Sequence, residues 1–139
     1  MSGVHRAVCD TNVIISGLLT SGAPAQLLDY FLLGDGYLVF SETTAIELEQ
    51  VLMREKFDPY LSRARRRDVL REVFLNAEFV TPQKTSVLCR DPKDNAFLDA
   101  ALAAEAEVLI SGDQDLLVLK RIGPTPIVRP MDFLLRFAN

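Results

Sequence analysis

Short apolar runs alternate along the chain with longer segments whose apolar residues recur at helical spacing. The apolar runs predict strands at 6–10, 37–40, 78–81, 108–110 and 126–129. The helical segments cover 12–19, 25–33, 41–53, 62–76, 91–106, 115–120 and 131–137. Strands that alternate with helices predict a parallel sheet covered by helices on both faces, a three-layer α/β/α architecture.

Residues suited to helix starts support these boundaries. Ser41 and Ser62 are suitable N-caps, and Asp91 stands directly before Pro92, which fits the first turn of a helix. Pro24 is placed in the same way at the start of the second helical segment. Gly123 and Pro124 predict a turn before the last strand.

Length and composition predict one globular domain over residues 1–139. The chain is 49% hydrophobic and 24% charged, which argues against disorder and allows a real core. No apolar stretch has the length of a membrane span, and no signal peptide opens the sequence, so we expect a cytoplasmic protein without membrane contact. Two cysteines form neither a disulfide framework nor a zinc site.

Acidic residues follow or open apolar runs at four places where a strand would pass into a helix. These residues are Asp10, Glu47, Asp94 and Asp113. Because ligands of such sheets bind at the carboxyl ends of the strands, we expect the four to converge at one edge. Clustered carboxylates repel one another, and a divalent cation is the usual compensation. Hard oxygen ligands suit one or two Mg²⁺ or Mn²⁺ ions, which indicates metal-assisted chemistry on phosphate esters.

The net charge of −4 does not exclude a nucleic-acid substrate. If a metal neutralises four of the 19 acidic residues, the other 15 balance the 15 Lys and Arg residues. The remaining surface can then carry local basic patches.

Two of the four acids have ordinary structural alternatives. Asp10 precedes a helix and could simply cap it, although Thr11 or Asn12 could do the same. Glu47 lies beside the apolar stripe of its helix, where a solvated glutamate is common.

The other two acids lie in segments that contain further acids. Asp94 could be a ligand, or could interact with the helix N-terminus that Asp91 caps. Asp99 lies about 140° around the same helix and is the weaker candidate. Asp113 is followed two residues later by another acid, Asp115. Of these two, we favour Asp113 as a ligand and Asp115 as a cap or outer partner.

Polar and basic side chains supply further candidates. Asn12 and Ser16 could bind a ligand or water in the site, and Ser16 could equally be an ordinary helix-surface residue. Arg63, Arg66 and Arg67 belong to the densest basic run, which is either a solvated helix face or a grip on RNA phosphates. If that run does not bind RNA, the next candidates are the following: Arg54, Lys56, Arg90 and Lys93.

Taken in order, four segments resemble the PIN-domain family of metal-dependent ribonucleases. The segments are Val8–Gly17, Ile46–Leu52, Asp91–Ala101 and Val108–Leu117. The chain is most similar to the small bacterial and archaeal members that act as toxins of toxin–antitoxin pairs. The resemblance implies a PIN-like domain with a five-stranded parallel sheet in the order 3-2-1-4-5.

The resemblance also implies roles for individual residues. It assigns Asp10, Glu47, Asp94 and Asp113 to the acidic catalytic and metal site, and Asp115 to an additional metal-binding acid. It assigns Asn12 and Ser111 to polar support. It further implies a homodimer, and a small DNA-binding antitoxin as partner.

The residues and the resemblance together predict a Mg²⁺- or Mn²⁺-dependent nuclease that cleaves single-stranded RNA. The alternatives are a PIN nuclease of RNA processing and a non-catalytic scaffold that binds RNA or protein. Asn12 argues against an Asp-x-Asp phosphatase because it cannot serve as the second acid. A receiver domain would carry its phospho-acceptor after the third strand, where this chain has Thr81 and Pro82.

Overall fold

The computed structural model describes residues 6–137, which build a six-stranded sheet in the order β3-β2-β1-β4-β6-β5. Its strands are β1 (Arg6–Cys9), β2 (Tyr37–Phe40), β3 (Ala77–Phe79), β4 (Val108–Ile110), β5 (Arg121–Ile122) and β6 (Thr125–Val128). Its helices are α1 (Thr11–Leu19), α2 (Ala23–Leu32), α3 (Glu42–Leu52), α4 (Arg63–Leu75), α5 (Pro92–Ala104), α6 (Gln114–Leu117) and α7 (Pro130–Arg136), with a 3-10 helix at Glu55–Phe57. The predicted three-layer α/β/α architecture is confirmed.

The sheet has one strand more than the sequence predicts. The five expected strands are β1, β2, β3, β4 and β6, and they are parallel in the expected order. The additional strand β5 has two residues and pairs antiparallel with β6 across the turn at Gly123. A two-residue strand is too short to show an alternating pattern, so only the turn could be predicted.

Alternation along the strands divides the core between the two faces of the sheet. In β1, Ala7 and Cys9 pack with residues of α1, α2, α3, α4 and α7, whereas Val8 packs with residues of α5 and α6. Both faces are therefore covered, as expected for parallel strands. Helices α3 and α5 belong to different layers and contact each other.

Local caps begin three of the longer helices where the sequence predicts. Ser41 forms a capping box with Thr44 at the start of α3, Ser62 caps α4, and Asp91 caps α5. In each case the side-chain oxygen satisfies a backbone N–H of the first turn that has no partner within the helix.

Over residues 6–137, every helix is too short or too polar to cross a membrane.

Candidate active site

The carboxyl ends of the neighbouring strands β1 and β4 bring Asp10 and Ser111 together. The Asp10 amide donates to the carbonyl of Ile110 at 3.0 Å, which continues the parallel pairing by one residue. The Ser111 hydroxyl donates to Asp10 Oδ2 and accepts from the amide of Asp113 at 2.9 Å. Ser111 thus connects two of the predicted site residues and is fully buried.

Asp10 is both a helix cap and a member of the site. Its Oδ1 accepts from the amide of Val13 at 2.9 Å at the start of α1. Burial is the main cause that raises the pKa of Asp10, and the charge of Asp113 adds to it. The hydrogen bonds from Ser111, Val13 and Gly112 act in the opposite direction. The capping role that the sequence left open is therefore confirmed, and the role of Asp10 as a metal ligand stays a prediction.

Three half-buried carboxylates form the tightest acidic group. Asp94, Asp113 and Asp115 each offer an oxygen, and these oxygens all lie within 4.8 Å of one another. Burial, followed by the charges of Asp113 and Asp91, raises the pKa of Asp94 to about 7. Without a cation, Asp94 is therefore partly protonated near neutral pH, where an isolated aspartate is fully ionised.

The donor set suits Mg²⁺ or Mn²⁺. All three ligand atoms are carboxylate oxygens, the type that both ions prefer. Burial contributes most to the raised pKa of Asp94, and the charges of Asp113 and Asp91 add electrostatic repulsion to it. A divalent cation would remove that repulsion, so the residues fit the ion that the sequence predicts.

Glu47 and Asp10 lie on the same cleft as Asp94 and Asp113, outside the tight group. The cleft has a volume of about 220 Å³. Glu47 Oε2 accepts from the Thr11 hydroxyl at 2.5 Å, so the first residue of α1 orients a carboxylate of α3. The structure thus brings all four predicted acids to one cleft and adds Asp115 beside two of them.

The N-cap of α6 is Asp113, so the prediction that Asp115 could be this cap is wrong. Asp113 Oδ1 accepts from the amide of Asp115 at 2.9 Å, so Asp113 is the N-cap of α6. The cap falls there because α6 begins at Gln114, which makes Asp115 a residue of the first turn. Asp115 forms an ion pair with Arg90 at 3.1 Å. Asp113 therefore combines capping with membership of the acidic group.

The polar candidates separate into two cases. Asn12 is exposed and lines the cleft. Ser16 is half-buried and is not one of the described residues that line the cleft. Its carbonyl accepts from the backbone amide of Thr20 at 2.9 Å. Asp99 accepts from the amide of Ser86 at 2.7 Å, which agrees with its lower rank as a ligand.

Arg66 does not lie on the surface, and the expectation that it grips RNA phosphates is wrong. Its side chain is fully buried and forms an ion pair with Asp58. It donates to the carbonyls of Leu61 at 2.8 Å, Leu52 at 3.0 Å and Arg54 at 3.1 Å. The guanidinium therefore holds the C-terminal end of α3 and the segment that follows.

The other two candidate arginines, Arg63 and Arg67, stay accessible. Arg63 is exposed and lies 3.6 Å from Asp58, and Arg67 is exposed as well. Arg66 shares the buried face of α4 with Leu70 and Val73, at spacings of four and seven residues. That spacing is the signal in the sequence that could have separated Arg66 from its neighbours.

Several residues at the site were not among the main sequence candidates. Arg54 and Lys93 line the cleft, and neither forms an ion pair with another residue of 6–137. Asn95 fixes the loop before α5, because it donates to the carbonyl of Cys89 at 3.1 Å and accepts from its amide at 2.8 Å. Thr11 could have been found from its place directly after Asp10 at a strand end.

The structure belongs to the class of doubly wound α/β/α domains, with carboxylates gathered at the edge of the parallel sheet where such domains bind their ligands. The comparison with protein families identifies the member of that class. The profile of the PIN domain matches residues 6–115, most of the chain, and the chain belongs to the PIN-domain family. Proteins of this family are generally nucleases.

Individual relatives agree with this assignment. The uncharacterized protein MJ1680 of Methanocaldococcus jannaschii is 29% identical over 125 residues, which span 83% of this chain and 75% of that protein. The structure of PAE2754 from Pyrobaculum aerophilum superimposes with a TM-score of 0.65 at 15% identity, over 97% of this chain and 90% of that one. FitAcB from Neisseria gonorrhoeae gives a TM-score of 0.58 at 16% identity, over 90% and 98%. At these identities the structural matches demonstrate the shared fold.

Proposed function

We propose that this protein is a Mg²⁺- or Mn²⁺-dependent ribonuclease that cleaves single-stranded RNA. The observation that carries the proposal is the group formed by Asp94, Asp113 and Asp115, whose oxygens lie within 4.8 Å of one another. Membership of a family of nucleases supports the reaction class.

The three grouped carboxylates would hold the ion or ions, and Asp10 and Glu47, which line the same cleft, would complete the site. When bound, such an ion lowers the pKa of a water molecule and stabilises negative charge on the leaving oxygen. Ser111 keeps Asp10 turned towards Asp113, and Thr11 orients Glu47.

The attacking group in this proposal is water, since the described residues offer no activated side-chain nucleophile beside a histidine. The single histidine, His5, lies outside the described residues. Burial, with the charge of Asp94, raises the pKa of the Cys89 thiol, which keeps it neutral. Glu47 stands apart from the three-acid group and is our candidate for the proton acceptor.

Two cations at the cleft are suited to the phosphates of the substrate. Arg54 and Lys93 line the same cleft as the carboxylates, and their charges are not used by ion pairs within residues 6–137. They would attract RNA in spite of the net charge of −4.

Cleavage of a labelled single-stranded RNA by purified protein tests the proposal. We expect cleavage with Mn²⁺ or Mg²⁺, none in EDTA, and none by Asp113→Asn. Asp99→Asn is the matched control because Asp99 lies on the neighbouring helix surface and binds a loop amide. Full cleavage in EDTA, or by Asp113→Asn, would refute the metal-dependent mechanism.

We further propose that the protein is a toxin that a small DNA-binding antitoxin neutralises, and that it acts as a homodimer. The support is the resemblance of its motifs to toxin members of the family. Induced expression of the wild type in a bacterial host should stop growth, whereas expression of Asp10→Asn should not. Equal growth of both strains at equal protein levels would favour a nuclease of RNA processing instead.

A further inference from the structure

A groove between α3 and α5 opens directly from the carboxylate cleft. It has a volume of about 280 Å³, and it shares Glu47, Val51, Arg54 and Lys93 with that cleft. Residues 43, 47, 50 and 54 recur every three or four positions, so one face of α3 and its continuation form a wall of the groove. Whatever occupies this groove is continuous with the group bound at the carboxylates.

The walls of the groove are mainly apolar and carry two unused polar side chains. Ile46, Val51 and Ala96 supply aliphatic surface, and Ile46 is 46% exposed although it lies in the middle of a helix. Thr43 and Gln50 are exposed, and their side chains make no hydrogen bond with the described part of the chain. A flat ligand with a polar edge would use both features.

Cations stand at both ends of this apolar segment. Arg54 and Lys93 lie where the groove meets the carboxylate cleft. A further cleft, which shares Thr43 and Ala96 with the groove, continues to Lys84 and also contains Asp99, whose carboxylate accepts from the amide of Ser86. Like the other two, Lys84 has no ion pair within residues 6–137. Along this path the carboxylates therefore come first, Arg54 and Lys93 follow, the apolar surface comes next, and Lys84 lies at the far end.

We propose that the groove between α3 and α5 is a nucleobase subsite, which holds the base of a nucleotide next to the bond that is cleaved. The base packs against Ile46 and Ala96, and its edge reaches Thr43 and Gln50. The flanking phosphates meet Arg54 and Lys93 on one side and Lys84 on the other. A single strand alternates charged phosphates with flat bases, and this alternation matches the cations and apolar surface of the path. The inference rests on the proposed function.

The test compares substrates with and without that base. Cleavage is measured as kcat/KM in Mn²⁺ on a short single-stranded RNA, and on the same RNA lacking the base on one or the other side of the cleaved bond. For the wild type, loss of the base on one side should lower kcat/KM about tenfold, which is at the low end of the effect of a base stacked on an aromatic side chain, because the groove offers aliphatic surface.

The variant Ile46→Glu blocks the groove with a charge at an exposed position, where folding should survive. On the intact RNA, this variant should lower kcat/KM about tenfold relative to the wild type. On the RNA without the base, it should lower kcat/KM little further, because the substitution and the loss of the base remove the same contact. Leu75→Glu is the matched control: it adds the same charge at another exposed aliphatic residue, on α4, and should cleave as the wild type does. Gln50→Ala should change the nucleotide preference at this position.

The outcomes separate the subsite from the function. If the wild type cleaves no RNA, the proposed function fails. If it cleaves RNA and Ile46→Glu matches it on both substrates, only the base subsite is overturned. Normal cleavage by Ile46→Glu together with lost inhibition by a protein partner would assign the groove to a peptide and would also overturn the proposal.

Discussion

Replacement of Asp94 by Asn should stabilise the metal-free protein at neutral pH while it abolishes activity. Burial and the charges of Asp113 and Asp91 raise the pKa of Asp94 from 3.8 to about 7. Because the pKa of Asp94 is higher in the folded state than in the unfolded state, the unfolded state binds fewer protons at any pH between these two pKa values. Stability therefore falls as the pH rises through this window, and Asn removes that loss.

The magnitude follows from the size of the shift and the exposure of the side chain. A shift of this size would correspond to about 4 kcal/mol if all of it acted on stability. Asp94 is only half-buried, so screening by solvent reduces the effect to about 1–2 kcal/mol. Asn also loses the favourable interaction of a carboxylate with the N-terminus of α5, about 0.5 kcal/mol. A net gain of about 1 kcal/mol remains.

Urea unfolding in EDTA at several pH values measures this gain. The difference in free energy of unfolding between Asp94→Asn and the wild type should be near zero at the acidic end of the window and largest above neutral pH. Asp99→Asn, on the same helix, should show no such gain, since Asp99 holds the amide of Ser86 and lies apart from the acidic group. A variant that is less stable than the wild type in EDTA at neutral pH, or a gain that is the same at every pH, would refute the reasoning. Added Mn²⁺ should stabilise the wild type more than Asp94→Asn.

Three further predictions concern residues that support the site. Arg66→Gln should lower the free energy of unfolding by about 3 kcal/mol in urea, because three backbone carbonyls lose a buried donor, whereas Arg67→Gln should change it little. The hydrogen bond from Arg66 is the main cause that lowers the pKa of Asp58 in the folded protein. Ionised Asp58 therefore stabilises the fold at pH values above the pKa that it has in the unfolded chain, and this stabilisation is lost as the pH falls. Asp58→Asn should accordingly flatten the acid side of a curve of unfolding free energy against pH. Ser111→Ala should lower the cleavage rate by about 10- to 100-fold without preventing binding of RNA, because it releases Asp10; an unchanged rate would exclude this orienting role.

Features that depend on a few neighbouring residues could be predicted from the sequence. The caps Ser41, Ser62 and Asp91 each bind an amide two or three positions later, so residue type and position suffice to find them. The parallel direction of five strands follows from their alternation with helices, whereas their order was implied by the family resemblance. The carboxylates Asp10 and Asp113 could be placed together because they follow neighbouring strands.

Features that depend on distant partners could not be predicted in this way. The Arg66 guanidinium binds carbonyls that lie 5, 12 and 14 positions earlier, and local spacing does not reveal them. The pairing of β5 with β6 depends on a turn that brings only two residues into register. The association of Asp115 with Asp94 likewise depends on how α6 approaches the start of α5.

The buried arginine connects the fold to the site through the backbone of Arg54. Arg66 donates to the carbonyl of Arg54 at 3.1 Å, just beyond the end of α3, and the side chain of Arg54 lines both the carboxylate cleft and the groove beside it. The basic run on α4 was expected to be either a solvated helix face or a grip on RNA phosphates. In the structure, its central member instead holds the segment from which another arginine reaches the site. A fully buried cation needs acceptors on several sides, and the end of α3 supplies carbonyls that have no partner within the helix. The same contacts that satisfy Arg66 thus place a positive charge, which no ion pair within residues 6–137 uses, beside a cluster of carboxylates, where the proposed RNA substrate would bring its phosphates.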